Sequence, residues 1–259
     1  MQHTARKRFS QNFLVDGEIT DAIIAAIAPQ HSDRMVEIGP GLGALTRPLL
    51  EHVEHLHVVE IDRDIAARLI GEFSATRLTV HVSDALRFDF STLGQNLRVV
   101  GNLPYHISSP LLFHLTRFAK HIYDLHVMLQ KEVVERMIAP TTSAAYGRLS
   151  VMLQYRYSME KLMDVPSHAF RPAPRIESAM IRMQPRTPQE LQAKDEPLFG
   201  RIVSSAFAQR RKTLRNTLRS YLVREDFAAL AIDPGWRAQN LTYGDFARIS
   251  NYLGNKVER

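Results

Sequence analysis

Between residues 34 and 130 the chain alternates short β-branched runs with stretches whose apolar residues recur at helical spacing. The runs are MVEI, LHVVEI, LTVHV, LRVV and LHVML; stretches such as DIAARLIGEF and SPLLFHLTRFA lie between them. Strands buried on both faces read as unbroken apolar runs, and parallel strands need helical crossovers, so the pattern predicts a parallel sheet with helices on both faces. Residues 18–28 carry the helical spacing and predict a helix packed against the first strand. AMIRM near 179–183, where Arg182 interrupts the apolar residues, reads closer to alternation than to an unbroken run and predicts a strand returning late in the chain.

Pro185, Pro188 and the polar stretch TPQELQAKDEP then interrupt the pattern. Only helical patterns follow, among them RIVSSAFAQ, KTLRNTLRSYL and YGDFARISNYL. The expected organisation is an α/β domain over residues 1–187 and a small all-α domain over 188–259, which suits a length of 259. No internal repeat or low-complexity tract is present.

Hydrophobic residues make up 45% of the chain, yet no apolar run approaches the roughly 18 residues that span a bilayer. The basic start MQHTARKRFS lacks a signal peptide's apolar segment. A cytoplasmic protein without a membrane partner is expected. The absence of cysteine excludes disulfides, thiol nucleophiles and thiolate zinc sites, and the 11 histidines show no HExxH or comparable spacing, so no metal is expected. Net charge is +6, and Arg201, Arg210, Arg211, Lys212, Arg215 and Arg219 fall in one stretch without an acidic residue. Such a face attracts polyanions through their phosphates and carries no specificity of its own.

The first strand runs into Gly39, Gly41 and Gly43 in EIGPGLGALT, where glycines permit a sharp turn and let a ligand lie against the main chain. Glu60 ends the next strand, placed to accept from both hydroxyls of a ribose. These features suit S-adenosylmethionine and NAD alike, since Gly39, Gly41 and Ala44 also satisfy GxGxxA with an acidic residue at the NAD spacing. Asp84, after the third strand, either accepts from an adenine amino group or caps the turn that follows.

The fourth strand ends in Gly101, Asn102, Leu103, Pro104 and Tyr105. An exocyclic adenine amine is a poor nucleophile, because its lone pair is delocalised into the ring. The amide oxygen of Asn102 and the carbonyl of Leu103 could each accept one N–H and favour a pyramidal nitrogen aimed at a methyl donor. Pro104 fixes the backbone, and Tyr105 offers a face on which an extruded base can stack. No nucleophilic side chain is needed.

The chain resembles the bacterial small-subunit rRNA dimethyladenosine transferases in ARKRFSQNFL, VEIGPGLGALT, VVEIDRD, SDAL, VGNLPYHIS, AFRPAPRIESAMIRM and FAQRRKTLRNTL. The resemblance implies a Rossmann-like S-adenosylmethionine-dependent methyltransferase, and a monomer is expected. It would dimethylate the N6 amines of two adjacent adenosines near the 3′ end of 16S rRNA, within the small ribosomal subunit or its precursor. It further implies that Asn12 and Leu14 contact the methionine and sulfonium end of the cofactor, with Gly39 and Gly41 along it, Glu60 on the ribose and Asp84 on the adenine. Asn102 would stand between donor and amine. Phe170 becomes a second stacking candidate, although the bare sequence reads it as core. Residue 106 is His where the family motif commonly continues with Asn, and residue 176 is Ile where Val is usual; neither removes a required donor or acceptor.

In RRKTLRNTLRSYL, Leu214, Leu218, Tyr221 and Leu222 share one helical face, and Arg211, Arg215 and Arg219 form a stripe beside it. Together with Arg210 and Lys212 the stripe could grip phosphates flanking the target. A ribosome-assembly factor that only binds RNA shares every basic feature, but does not require a donor pocket joined to NLPY. A 23S rRNA methyltransferase shares the NxPY chemistry, and a nicotinamide oxidoreductase would leave NLPY and the basic tail unexplained.

Overall fold

The computed structural model describes residues 12–257. Residues 5–11 of the ARKRFSQNFL block lie outside the described residues. The chain begins with β1 (Phe13–Leu14), α1 (Gly17–Ile27), β2 (Arg34–Ile38), α2 (Thr46–His52), β3 (Leu56–Glu60), α3 (Arg63–Glu72) and β4 (Leu78–Val82). It continues through β5 (Leu97–Asn102), α4 (Ser108–Thr116), β6 (Ile122–Gln130), α5 (Lys131–Ile138), α6 (Arg148–Arg156) and β7 (Tyr157–Val165). After β8 (Phe170–Arg171) and β9 (Ser178–Pro185) come α7 (Glu196–Phe207), α8 (Leu214–Thr217), α9 (Arg224–Ala229) and α10 (Tyr243–Val257).

Seven strands form one sheet in the order β4-β3-β2-β5-β6-β9-β7. The five strands read from the apolar runs pair in parallel, and β9 joins β6 antiparallel, with Val127 opposite Ile181. The sheet is therefore mixed at one side. Strand order runs outward from β2 in both directions, so the carboxyl ends of β2 and β5 flank a topological switch point, where open α/β sheets bind ligands. Side-chain oxygens set two helix starts on this scaffold: Asp16 accepts from the Ile19 N–H at 3.1 Å, and Asp62 from the Asp64 N–H at 3.0 Å. Ile23, Ile27, Met35, Leu49, Leu56, Val58, Ile65 and Leu69 are buried in the core between helices and sheet.

The chain divides into two compact units, the first running through Val134 and resuming over Met159–Pro185, the second comprising Glu135–Ser158 and the residues from Arg186 on. The chain's last passage from one unit to the other falls between Pro185 and Arg186, against the expected boundary near 187. The assignment of 135–158 to the first domain is corrected: α6 buries Val151 and Tyr155 in the same core as Phe199 and Ile202 of α7, with the Tyr155 and Phe199 rings 4.4 Å apart. Tyr146 anchors this core through a 2.9 Å bond from its hydroxyl to the Leu241 carbonyl. No helix among the described residues is long and apolar enough to cross a membrane.

The helix read across 212–222 is also shorter than expected. Only Leu214–Thr217 is α-helical, and the bond from Tyr221 N–H to the Leu218 carbonyl closes a tighter turn beyond it. The four-residue links Leu214–Leu218 and Leu218–Leu222 persist, at 2.8 and 2.9 Å. Leu214, Leu218 and Leu222 therefore still share a buried face, while Arg211, Arg215 and Arg219 are exposed.

Candidate active site

A cleft of about 330 Å³ opens at the switch point, and its walls include Asn12, Leu14, Gly39, Gly41, Glu60, Asp84, Asn102, Leu103, Pro104 and Tyr105. The residues expected to hold a nucleoside and those expected to orient an amine thus face one space. The fold brings them there because each follows or ends a parallel strand: Gly39 after β2, Glu60 at the end of β3, Asp84 after β4 and Asn102 at the end of β5.

Gly39 and Gly41 have φ of +68° and +54°, in the left-handed region that favours glycine. The Gly39 N–H donates to the Val59 carbonyl at 3.0 Å, which ties the loop to β3. Close approach also explains Gly101, where an added Cβ would lie 2.5 Å from the Ile38 carbonyl oxygen on the neighbouring strand.

Glu60 is 6% exposed and accepts from the Asp62 N–H at 2.8 Å. Burial raises its carboxyl above the ordinary value, against the opposing pull of the Asp62, Gly41 and Ile61 N–H groups. An acceptor held this way suits neutral hydroxyl donors. Asp84 uses Oδ1 to accept from the Leu86 N–H at 2.9 Å, and Oδ2 lies 4.0 Å from Arg87 Nε. The turn-capping reading of Asp84 therefore holds for one oxygen, and the residue still lines the cleft through the rest of its surface.

Asn102 donates from Nδ2 to the Asn12 carbonyl at 3.1 Å. Its Oδ1 has no hydrogen-bond donor among the described residues and is the amide's remaining acceptor. The Leu103 N–H donates to the Met128 carbonyl at 3.1 Å, which ties the peptide just before the second acceptor to β6. The loop closes with the Ile107 N–H on the Pro104 carbonyl at 3.1 Å and Ser108 Oγ on the Tyr105 carbonyl at 3.0 Å. Tyr105 is half-buried, and its hydroxyl is 2.7 Å from Ser178 Oγ on β9, which holds the ring at the cleft wall.

Phe170 does not join this group. Its backbone pairs antiparallel with Leu14, and its ring is 0% exposed among Leu14, Val165, Ala169 and Met180. The expectation that Phe170 stacks on the target base is corrected: its ring is core packing, and Tyr105 alone of the two lines the cleft. The pairing of β1 with β8 instead sets Asn12 and Leu14 against the cleft. His106, the departure from the family motif, is exposed at the rim, and Ile176 is exposed outside it.

Glu37 was not singled out from the sequence, yet it lines the cleft beneath the glycine loop. It is 2% exposed and accepts from Thr46 Oγ1 at 2.6 Å. Burial pushes its carboxyl up to about 7, partly offset by the Thr46 bond and reinforced by nearby Glu60. A glutamate within an apolar strand run gives no signal of this; only its position two residues before Gly39 does.

In the helical unit, Arg211, Lys212, Arg215 and Arg219 are exposed and make no ion pair with a carboxylate among the described residues. Arg210 differs, since its guanidinium donates to the Ala144 carbonyl at 2.6 Å. No group of three or more histidine, aspartate or glutamate side chains among the described residues is arranged to hold a metal ion.

The donor set suits an adenosine-bearing methyl donor, because it offers acceptors for ribose hydroxyls and an adenine amine, a loop without side chains, and apolar walls at Leu14, Ile38 and Ala85. Comparison with known proteins agrees. The chain is 60% identical over 257 residues to "Ribosomal RNA small subunit methyltransferase A" of Nitrosospira multiformis, covering 99% of each chain. It is 59% identical to the protein of the same name from Thiobacillus denitrificans, covering 98% of this chain and 100% of that one. A crystal structure of a dimethyladenosine transferase from Plasmodium falciparum shares the fold at a TM-score of 0.82 and 24% identity, covering 95% of this chain and 98% of that one. That of the 23S rRNA methyltransferase ErmE does so at 0.74 and 22%, covering 94% and 100%. A family model described as ribosomal RNA adenine dimethylase matches residues 2–255, and the chain therefore belongs to that family, as an enzyme whose methyl donor is S-adenosylmethionine.

Proposed function

We propose that the protein dimethylates the N6 amines of two adjacent adenosines near the 3′ end of 16S rRNA, within the small ribosomal subunit or its precursor. The observation that carries this reading is the convergence of Glu60, Asp84 and the glycine loop with Asn102, Leu103 and Tyr105 on one cleft. The names of the relatives at 59–60% identity favour the small-subunit substrate over 23S rRNA.

When bound, S-adenosylmethionine supplies a methyl group made electrophilic by its sulfonium. Glu60 accepts from the ribose hydroxyls, Asp84 from the adenine amine of the cofactor, and Gly39 and Gly41 let the cofactor lie against the backbone. Asn12 and Leu14 border its methionine end. The target adenine, taken out of its stack, lies against Tyr105. Asn102 Oδ1 and the Leu103 carbonyl each accept one N–H of its amine, so that the nitrogen lone pair points along the line of transfer. Orientation of this kind needs no side-chain nucleophile, and the spent proton leaves the cationic amine product for solvent. After one methylation a single N–H remains, and one of the two acceptors is enough to orient it for the second.

Arg211, Lys212, Arg215 and Arg219, with Arg210 in a shared role, hold rRNA phosphates and give affinity without base selection. The protein acts as a monomer, in the cytoplasm where ribosomal subunits assemble. Incubation with labelled S-adenosylmethionine and undermethylated small subunits tests the reading. Label should appear as dimethyladenosine at two adjacent positions of 16S rRNA; transfer to 23S rRNA alone, or none, would overturn it.

A further inference from the structure

The helical unit presents an aromatic side chain that its own packing does not use. Trp236, the single tryptophan of the chain, is 44% exposed and contributes nothing to the unit's buried core. It closes a tight turn of sequence Asp-Pro-Gly-Trp, in which its N–H donates to the Asp233 carbonyl at 3.1 Å and the Gly235 N–H to Asp233 Oδ1 at 2.7 Å. Pro234 and Gly235 at the central positions suit such a turn, and the Asp233 carboxylate is drawn into it.

Two further bonds weld this turn to the basic segment. The Leu214 N–H donates to the Trp236 carbonyl at 2.7 Å, and the Arg215 N–H donates to the Pro234 carbonyl at 3.0 Å. The first free N–H groups of the short helix at Leu214–Thr217 are thus satisfied by carbonyls on either side of Gly235. An exposed indole therefore sits on a rigid support, followed in sequence by exposed Arg237 and held beside exposed Arg215. An aromatic face flanked by cations is the pairing that binds single-stranded nucleic acid: the base stacks on the ring while its phosphates meet the positive charges.

We propose that Trp236 is a stacking platform for one unpaired rRNA base outside the catalytic cleft, with Arg215 and Arg237 holding the phosphates on either side of that base. The inference rests on the reading of the protein as an rRNA-binding enzyme. It assigns to the helical unit a contact with a base as well as with the phosphate backbone, and so gives that unit a means of distinguishing an open loop from a continuous duplex.

The test uses the full-length protein and protein-free, unmethylated small-subunit rRNA. With one tryptophan in the chain, its emission reports directly on position 236. The expected result is quenching of that emission on RNA binding, and a loss of affinity of roughly 5- to 150-fold for Trp236→Ala, the range set by losing one base stack. The logarithmic salt slope should stay at the parental value, because every phosphate-binding cation is retained. Trp236→Phe should recover most of the affinity, and both variants should show the parental helical circular dichroism and thermal transition, which establishes that the helical unit is folded, and should bind S-adenosylmethionine as the parent does. A Trp236→Ala protein that binds rRNA within twofold of the parent overturns the stacking role and leaves the methyltransferase reading intact. So does an affinity loss accompanied by a shallower slope. A parent that binds no rRNA at all overturns both.

Discussion

Asn102 and Asn12 are joined by a 3.1 Å hydrogen bond from the side-chain Nδ2 of the first to the main-chain carbonyl of the second. A carboxamide has one donor end and one acceptor end, so committing the nitrogen determines where the oxygen points. The bond spans 90 residues of sequence and couples the amide proposed to orient the target amine to the segment proposed to border the donor's methionine end.

Asn102→Ala removes the acceptor and leaves the glycine loop, Glu60 and Asp84 in place. Methyl transfer should fall by roughly 100- to 1000-fold, about 2.7–4 kcal/mol of barrier. Affinity for S-adenosylmethionine should change much less than the rate. Asn102→Asp retains an acceptor but opposes a carboxylate to the Asn12 carbonyl, so it should not restore the rate. Single-turnover methylation of undermethylated subunits provides the measurement, and a parental rate in folded Asn102→Ala would remove the residue from the chemistry.

Glu60 makes a separable prediction, since it addresses the donor and not the target. Its carboxylate is preset by the Asp62 N–H, and losing a charged hydrogen-bond acceptor costs about 1.5–3 kcal/mol. Calorimetry should therefore show S-adenosylmethionine binding weakened by roughly 10- to 150-fold in Glu60→Ala. NAD should show no saturable binding to the parent at comparable concentration. Equal cofactor affinity in parent and variant would displace Glu60 from the ribose.

Glu37 links the cleft to stability. Its carboxyl is raised to about 7 from an ordinary 4.5 by burial, so between these values the folded protein holds a proton that the unfolded chain has released. The favourable contribution is complete below pH 4.5 and is lost as pH rises through 7. At pH 8 the buried charge costs at most about 3 kcal/mol relative to the protonated state. Glu37→Gln keeps an acceptor for Thr46 and removes the titration. Urea unfolding of the ligand-free proteins at pH 5 and pH 8 should show the variant gaining on the parent as pH rises, and parallel pH dependences would contradict the assignment.

Much of this site was readable because its parts stand at the ends of unbroken apolar runs. MVEI before Gly39, VVE at Glu60 and the run before Asn102 each announce a buried parallel strand, and the topology of parallel strands sends their carboxyl ends to one edge. The less legible parts are those whose determinants are tertiary. Strand β7 carries Glu160, Lys161 and Asp164 and lies at the sheet's edge, where charge suits one solvent-facing side and breaks the apolar pattern. Helix α6 reads as any amphipathic helix, and only its packing against Phe199 assigns it to the second unit. Phe170 shows the same limit: its sequence neighbours suit a loop beside a ligand, while the pairing of Leu14 with Phe170 draws the ring into the core.

The last prediction concerns the exposed arginines of the helical unit, for which a phosphate clamp and a merely solvated face differ in their response to salt. Arg211→Gln with Arg215→Gln preserves helix propensity and most of the side-chain length, and Leu214 and Leu218, both 0% exposed, continue to hold the segment in place. Because neither arginine makes an ion pair with a carboxylate among the described residues, the substitutions remove no internal salt bridge there, and the fold should survive. For each phosphate no longer neutralised, the logarithmic salt slope of rRNA binding should become shallower by roughly 0.7–0.9, with weaker binding at low salt. Affinity for S-adenosylmethionine should be unchanged, since the cofactor's proposed partners all lie in the other unit. Both affinities measured across a salt series, for parent and double variant, decide the matter: an unaltered rRNA affinity and slope would mean that these two side chains are held out in solvent and that the enzyme grips its RNA elsewhere.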